Sequence, residues 1–263
     1  MLRQSFIHVP GVGERRERDL WQAGYIDWDT FLDRHPSGTR REIIAAHLDP
    51  RLAAQALPAR EVWRLAAEFP DETAYLDIET TGLGTDGGSL TCIGLSDGTN
   101  VETFVRGRDL HRFEDAIRRF SLLVTYNGAS FDLPVLQSAF PSIDFRSFLH
   151  VDLRYPLRRI GLAGGLKSVE AQVALRRASE VDGVDGFLAV LLWRAHQRGH
   201  PRALDTLLAY CLEDVVHLKP LLVHAYNELS AALPVRVTPL ADRRMPAIPY
   251  RADAALVREL VAR

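Results

Sequence analysis

Residues 74–83 have the sequence AYLDIETTGL, an apolar run that carries two carboxylates, Asp77 and Glu79. Alternate side chains of a β-strand point to the same face, so Asp77 and Glu79 project together while Ile78 points to the opposite face. The turn-rich sequence TGLGTDGG at 81–88 ends the predicted strand and places both carboxylates at its carboxyl end. Open α/β sheets bind their ligands at that edge. This stretch therefore predicts a strand of an α/β sheet with a functional site at its end.

A third carboxylate lies in the sequence VTYNGASFDLPVL at 124–136. The residues SLLVTY at 121–126 are typical of a buried strand, and NGAS at 127–130 is typical of a turn that caps a helix. FDLPVLQSAF at 131–140 then predicts the helix. We expect Asp132 in its first turn, beside a second strand end, where the helix dipole favours a carboxylate by about 0.3–1 kcal/mol.

The last pair of residues lies in the sequence LAYCLEDVVHL at 208–218, within a helix that we predict over about 201–229. Tyr210 and Asp214 are four residues apart, so their side chains stack on one face of that helix. Glu213 points about 100° away from Asp214. We interpret Glu213 as a solvated helix charge and Cys211 as a buried thiol.

Four carboxylates at one site require compensation, because two unit charges about 4 Å apart repel by about 4 kcal/mol at an effective dielectric of 20. Mg²⁺ and Mn²⁺ take oxygen ligands and cancel that repulsion. We therefore predict that Asp77, Glu79, Asp132 and Asp214 hold two divalent cations, Mg²⁺ or Mn²⁺. Tyr210 is neutral at pH 7 and is expected to orient or deprotonate an attacking water. Each motif alone is equally typical of ordinary surface charges, so their order and their places at element ends carry the prediction.

These motifs resemble those of the DEDD superfamily of 3′–5′ exonucleases. The matching patterns are Asp-x-Glu-Thr-Thr-Gly-Leu at 77–83, Asn-Gly-x-x-Phe-Asp at 127–132 and Tyr-x-x-x-Asp at 210–214. One branch of that superfamily carries a histidine five residues before the last aspartate, where this chain has Ala209. The resemblance is therefore to the tyrosine branch, DEDDy.

The chain looks still more similar to the YprB-type ribonuclease-H-like domain family. The similar stretches are HVDL at 150–153, GLKSVEAQV at 165–173 and DGFLAVLLWRAHQRG at 185–199. This resemblance covers about residues 72–229 and is looser outside the metal motifs. The substrates of that family are less well defined than those of the proofreading exonucleases.

The resemblance implies a ribonuclease-H-like fold, two divalent ions and stepwise release of nucleoside monophosphates from a 3′ end. By matching position, it implies that Thr80 and Leu83 contact the terminal nucleotide. It also implies that Asn127 and Phe131 contact the penultimate nucleotide. For Phe131, ordinary core packing is an equally good interpretation.

The predicted organisation has three parts. Residues 1–70 form a helical region, in which the turn at 10–13, Pro-Gly-Val-Gly, precedes an amphipathic helix. This turn resembles a helix-hairpin-helix module that binds DNA, but a packing role explains it as well. Residues 71–230 form the α/β domain, a ribonuclease-H-like mixed five-stranded sheet flanked by helices, and 231–263 form a C-terminal extension.

Strands are predicted at about 73–79, 89–96, 100–105, 122–126 and 149–153. Further helices are predicted at about 39–48, 58–69, 109–120, 166–174 and 184–197.

Three other polar residues receive structural interpretations. We interpret Asp152 as a solvent-facing turn charge, Lys167 as a helix-start residue and His217 as a structural histidine.

The composition is that of a soluble globular protein, with 47% hydrophobic and 25% charged residues. No apolar stretch approaches the roughly 20 residues needed to cross a bilayer, and two cysteines give neither a disulfide framework nor a zinc spacing. We expect a cytoplasmic protein with no membrane contact. The net charge of −2 does not by itself indicate nucleic-acid binding, so a nuclease of this composition needs a local basic groove.

The leading hypothesis is a 3′–5′ exonuclease acting on single-stranded nucleic acid, with DNA slightly preferred over RNA because of the N-terminal turn. An RNA-trimming exoribonuclease and a structure-specific endonuclease on the same fold remain open. A nucleic-acid-binding scaffold that has lost activity is the alternative of a different class. All four carboxylates and Tyr210 are present, which favours an enzyme.

Overall fold

The computed structural model describes residues 1–34, 49–82, 89–177, 187–241 and 244–262. It divides into two compact units, Met1–Pro70 with Leu222–Asp242, and Asp71–Leu221 with Arg243–Arg263. The predicted helix at 39–48 and the predicted substrate contact Leu83 lie outside the described residues. None of the described helices combines the length and the apolar character needed to span a membrane.

The first unit contains helices α1 (Glu14–Gln22), α2 (Trp28–Arg34) and α3 (Pro50–Ala56), followed by a 3-10 helix at Ala59–Ala67. Phe6, Trp21, Trp28 and Val235 form its hydrophobic core. Gly11 has a positive φ of 79° and Gly13 caps α1, so the Pro-Gly-Val-Gly sequence does form a turn before a helix. Its proposed contact with DNA stays a prediction.

A buried charge network holds this unit together. The guanidinium of Arg64 donates to Glu17 at 2.9 Å and to Glu61 at 2.7 Å, and Arg64 is only 2% exposed. Glu17 also accepts from the backbone N–H groups of Phe6 and Ile7. The predicted helix at 58–69 is present as a 3-10 helix at Ala59–Ala67, which aligns side chains three residues apart and so brings Glu61 onto Arg64.

The second unit is built on the mixed five-stranded sheet that the sequence predicts. Its strands are β1 (Thr73–Thr80), β2 (Leu90–Ser96), β3 (Val101–Val105), β4 (Leu122–Thr125) and β5 (Leu149–Asp152), in the order β3-β2-β1-β4-β5. β1, β2 and β3 are antiparallel neighbours, whereas β4 and β5 run parallel to β1. The central position of β1 explains why it is almost entirely buried.

Helices cover both faces of the sheet. They are α4 (Phe113–Ile117), α5 (Asp132–Ala139), α6 (Arg154–Arg159), α7 (Leu166–Gln172), α8 (Phe187–Gln197), α9 (Ala203–Ala231) and α10 (Ala254–Val261). The predicted helix at 109–120 is too long, because a 3-10 turn at Leu110–Arg112 precedes α4 and residues 118–121 turn back into β4.

The two faces of β1 have opposite characters. Ala74, Leu76 and Ile78 belong to the apolar core that also contains residues of α4 and α5. On the other side of the sheet, Cys92 of β2 joins a second apolar cluster with Tyr210 and Cys211 of α9. The alternation of β1 therefore directs Asp77 and Glu79 toward the helix that carries Tyr210.

Candidate active site

Strand β1 and helix α9 place the first two carboxylates close together. Asp77 and Glu79 each offer an oxygen, and Cys211 its sulfur, within 4.8 Å of one another. The thiol of Cys211 also lies 4.0 Å from the backbone carbonyl oxygen of Asp77. Since Tyr210 and Asp214 lie on the same helix as Cys211, this contact brings α9 onto the end of β1 that carries the acids.

The structure brings all four predicted acids to this point. Burial raises the pKa of Asp77 well above its ordinary value, and the charges of Asp214, Asp132 and Glu79 raise it further. Burial likewise raises the pKa of Glu79 and of Asp214. Burial also raises the pKa of Asp132 to about 7, even though its carboxylate accepts a hydrogen bond from the backbone of Ile78. The carboxylates thus repel one another in a poorly solvated pocket.

This donor set fits divalent cations. Carboxylate oxygens are the ligands that Mg²⁺ and Mn²⁺ prefer, and a cation removes the repulsion that raises these pKa values. The thiol of Cys211 is a softer donor and less suited to such ions. A hydrogen bond with Cys92, together with burial, raises the pKa of Cys211, which keeps it a neutral thiol. This agrees with its interpretation as a buried residue.

Tyr210 and Lys167 form a direct contact that the sequence did not predict. The ammonium of Lys167 donates to the phenol oxygen of Tyr210 at 2.7 Å and lies 4.6 Å from the centre of the ring. Tyr210 is 2% exposed, and burial raises its pKa above the ordinary value, with Asp214 and Glu79 adding to the effect. Burial lowers the pKa of Lys167. Lys167 is therefore both a residue of the first turn of α7 and a partner of Tyr210.

A second basic side chain reaches Asp214. Arg177 forms an ion pair with Asp214 and donates to Glu170 at 2.5 and 2.8 Å, while being only 3% exposed. Glu170 in turn contacts the Nδ1 atom of His217 at 2.9 Å. Burial of Glu170 is outweighed by its hydrogen bonds with His217 and Arg177, so its pKa is lowered. His217 thus has a structural contact, as predicted, and this network orients Asp214.

Two sequence interpretations are wrong because distant elements cover the residues concerned. Glu213 is 9% exposed and approaches the Nε2 atom of His217 at 3.8 Å, so it is packed and not solvated. Asp152 is 7% exposed and accepts from the backbone N–H groups of Asn127 at 2.7 Å, Ala129 at 3.2 Å and Arg154 at 3.1 Å. It fixes the turn that leads to Asp132 and does not face solvent.

The predicted substrate contacts occupy different surroundings. Thr80 is buried, and its hydroxyl donates to the carbonyl oxygen of Gly82. Asn127 has a φ of 64°, and its side-chain oxygen accepts from Arg154 at 2.5 Å. Phe131 is partly buried and packs against the apolar core of the sheet. Contacts of these residues with a nucleotide stay predictions.

Sequence reasoning missed the site contacts of Lys167, Glu170 and Arg177. The spacing of Lys167 and Glu170 is an ordinary helical pattern, and nothing local connects either residue with α9, about 40 positions further along the chain. A sequence signal was present only in the GLKSVEAQV stretch, where the YprB-type resemblance extends beyond the metal motifs.

Comparison with known proteins gives two findings. A family model described as the RNase_H superfamily matches residues 74–226, which is more than half of the chain. The chain is also similar to a solved structure of the family B DNA polymerase from the hyperthermophilic archaeon Pyrobaculum calidifontis, with 19% sequence identity and a TM-score of 0.45. That similarity covers 60% of this chain and 24% of the polymerase chain. The chain has no match among the curated proteins.

Proposed function

Because the chain belongs to the RNase H superfamily, we propose that it is a metal-dependent 3′–5′ exonuclease of single-stranded nucleic acid. The fold fits a nuclease and implies a nucleic-acid substrate. One observation carries the proposal, namely that Asp77, Glu79, Asp132 and Asp214 lie close enough together at the end of β1 for their charges to act on one another. Tyr210 lies within the electrostatic reach of three of them.

The four carboxylates would hold two divalent ions, Mg²⁺ or Mn²⁺. Such a pair activates a water and stabilises the leaving oxygen of a phosphodiester. Asp132 is held toward β1 by the backbone of Ile78. Asp214 is oriented by Arg177, whose guanidinium is itself fixed by Glu170. The carboxylates are therefore aimed before any ion or substrate binds, which is a property of efficient metal sites.

Tyr210 acts in this proposal as a hydrogen-bond donor and not as a phenolate. Its raised pKa keeps the phenol protonated at neutral pH. Lys167 donates a hydrogen bond to the phenol oxygen of Tyr210. This bond polarises the phenol O–H group, so the hydrogen bond that the phenol donates becomes stronger. Tyr210 would thus orient the attacking water, with Lys167 as its positioning residue.

The proposal also includes degradation from the 3′ end and membership of the tyrosine branch. They are supported by the Asp-x-Glu, Asn-Gly-x-x-Phe-Asp and Tyr-x-x-x-Asp patterns and by Ala209 in place of a histidine. The preference for DNA over RNA is supported only by the turn at 10–13.

The test is a cleavage time course on matched single-stranded DNA and RNA oligonucleotides labelled at the 5′ or the 3′ end. Reactions contain Mg²⁺, Mn²⁺ or EDTA, and the Asp77→Ala variant is the control. We expect a metal-dependent ladder that shortens from the 3′ end and is absent in Asp77→Ala. Internal cuts would replace the exonuclease with an endonuclease. Undiminished cleavage by a clean preparation of Asp77→Ala would contradict the assignment of the site.

A further inference from the structure

A groove with two arginines in its lining lies beside the carboxylates in the second unit. Its volume is about 570 Å³, and its lining residues are Tyr126, Asn127, Arg154, Arg158, Ala163, Gly164, Gly165 and Leu166, which we call the arginine groove. One wall is the turn after β4, which continues directly to Asp132. Another wall is the loop before α7, which continues directly to Lys167. Two of its walls therefore lead into the candidate active site.

The groove has a positive charge on one side. Arg154 and Arg158 are four residues apart on α6, so their side chains share one face of the helix. Arg154 donates to the side-chain oxygen of Asn127 at 2.5 Å, a neutral acceptor that positions the guanidinium and leaves its charge uncancelled. Among the described residues, no carboxylate forms an ion pair with Arg154 or Arg158.

The nearest carboxylate does not compete for these arginines. Asp152 lies beneath the turn and is buried, and its oxygens accept from three backbone N–H groups. The negative charge of Asp152 partly offsets the positive potential of the groove. The guanidinium ends of both arginines remain exposed to an incoming anion.

One aromatic ring, that of Tyr126, lines the groove together with the arginines. The hydroxyl of Tyr126 donates to the carbonyl oxygen of Gly164 at 2.6 Å, which fixes the ring between the two walls of the groove. Tyr155 follows Arg154 on α6, so it points about 100° away from Arg154 and is not part of the groove lining. Guanidinium groups match the geometry of phosphate, and exposed aromatic rings stack with bases. A basic groove with an aromatic ring in its lining is typical of surfaces that bind single-stranded nucleic acid.

We propose that the arginine groove binds the phosphodiester backbone of a single nucleic-acid strand next to the segment that enters the carboxylate site. The proposal rests on the proposed function for the identity of the ligand. Arg154 and Arg158 contact phosphates, and the groove makes the protein bind a strand more tightly than a single nucleotide. It also supplies the local basic surface that a chain with a net charge of −2 requires.

The test compares Arg154→Gln/Arg158→Gln with a matched control, Arg112→Gln/Arg118→Gln. The control removes two exposed arginines that do not line the groove. Binding of a fluorescent 12-nucleotide single-stranded DNA is measured in EDTA by anisotropy over a range of salt concentrations. The groove variant should bind about tenfold or more weakly. Its salt slope should fall by about 1.4, since each lost phosphate contact on a single strand contributes about 0.7.

A second measurement separates the groove from the chemistry. We expect kcat/KM of the groove variant to fall about tenfold or more on the 12-nucleotide strand, and to fall much less on the p-nitrophenyl ester of thymidine 5′-monophosphate, which is too short to occupy the groove. The single variant Arg158→Gln keeps the contact between Arg154 and Asn127 and should lose about half of the salt slope.

Each outcome is decisive for one proposal. If the groove variant binds the strand with wild-type affinity and salt slope, the proposal that the arginine groove binds a strand is overturned, even if the strand is cleaved. Thymidine monophosphate that competes as well as the 12-nucleotide strand would make the groove a nucleotide site and would also overturn the proposal. Loss of strand binding in the groove variant, without cleavage of any substrate by the wild type, would support the groove and refute the exonuclease.

Discussion

The hydrogen bond of 2.7 Å between Lys167 and Tyr210 links two motifs that lie far apart in the sequence. Lys167 belongs to α7, whereas Tyr210 lies on α9 with Asp214 one turn further on. The lysine acts on the chemistry only through the phenol if Tyr210 orients the water. The two residues should therefore behave as one unit when they are substituted.

This coupling gives a prediction for a double-mutant cycle. Tyr210→Phe should lower the single-turnover rate by about 10²–10⁴-fold, the usual contribution of a positioned acid or base. Lys167→Met should lower it by less, because the phenol remains. The double variant should be no slower than Tyr210→Phe alone. Effects that multiply would show that Lys167 acts independently of Tyr210, and an unchanged rate in Tyr210→Phe would remove the tyrosine from the mechanism.

The packing of α9 on the sheet depends on a glycine opposite the first aspartate. Gly94 of β2 pairs in register with Asp77 of β1. A β-carbon at Gly94 would lie 2.8 Å from the side chain of Val215 and 2.9 Å from the sulfur of Cys211, and both of these residues lie on α9. The absence of a side chain therefore lets the helix approach the strand closely enough to bring Tyr210 and Asp214 to Asp77.

Gly94→Ala tests that arrangement. The added methyl group should push α9 away from β2, reduce the free energy of unfolding by about 1–3 kcal/mol and displace Asp214 from the other acids. Chemical denaturation and the cleavage rate are the measurements. Val215→Ala is the partner substitution, because it removes the side-chain carbon that the new methyl group would approach most closely. The double variant should be more stable than the sum of the single effects predicts, whereas additive losses would refute the steric explanation.

The sequence predicts those features of these elements that depend on neighbouring residues in the chain, and it does not predict those that depend on contacts with distant residues. The alternation at Asp77 and Glu79, the cap before Asp132 and the four-residue step from Tyr210 to Asp214 are local, and the five strands lie close to their predicted positions. The burial of Glu213 is not local, because it depends on the helices that pack around α9. The same holds for the partners of Arg177, which lie 7 and 37 residues away (177 − 170 and 214 − 177).

The chain as a whole has nearly balanced charge, but the described part of the second unit contains an acidic centre with an arginine-lined groove beside it. Four carboxylates, two of them buried and two partly buried, lie around the end of β1, and two arginines line the groove beside them. This distribution suits a polyanionic strand that reaches an acidic centre, because the strand meets positive charge first and the metal ions convert the centre from repulsive to attractive. Without the ions, the acidic centre opposes both strand binding and folding.

The stability of the whole protein should therefore respond to pH and to metal ions together. The pKa of Asp132 is raised from 3.8 to about 7, and those of Asp77, Glu79 and Asp214 are also raised. Between about pH 4 and pH 7 the folded state then binds more protons than the unfolded state, so stability falls as pH rises. The lowered pKa of Glu170 acts in the opposite direction, but its contribution is lost only as pH falls below the ordinary range of a glutamate.

In EDTA, the Tm should fall between pH 5 and pH 8. Mn²⁺ at about 100 times its Kd should stabilise the protein by about 2.7 kcal/mol, and the increase in Tm should be larger at pH 8 than at pH 5, where protons compete for the oxygens. Asp132→Asn is the matched control, since its amide imitates the protonated acid and should reduce the pH dependence in EDTA. A Tm in EDTA that rises over this range, or a metal effect equal at both pH values, would show that the four acids do not share one buried site.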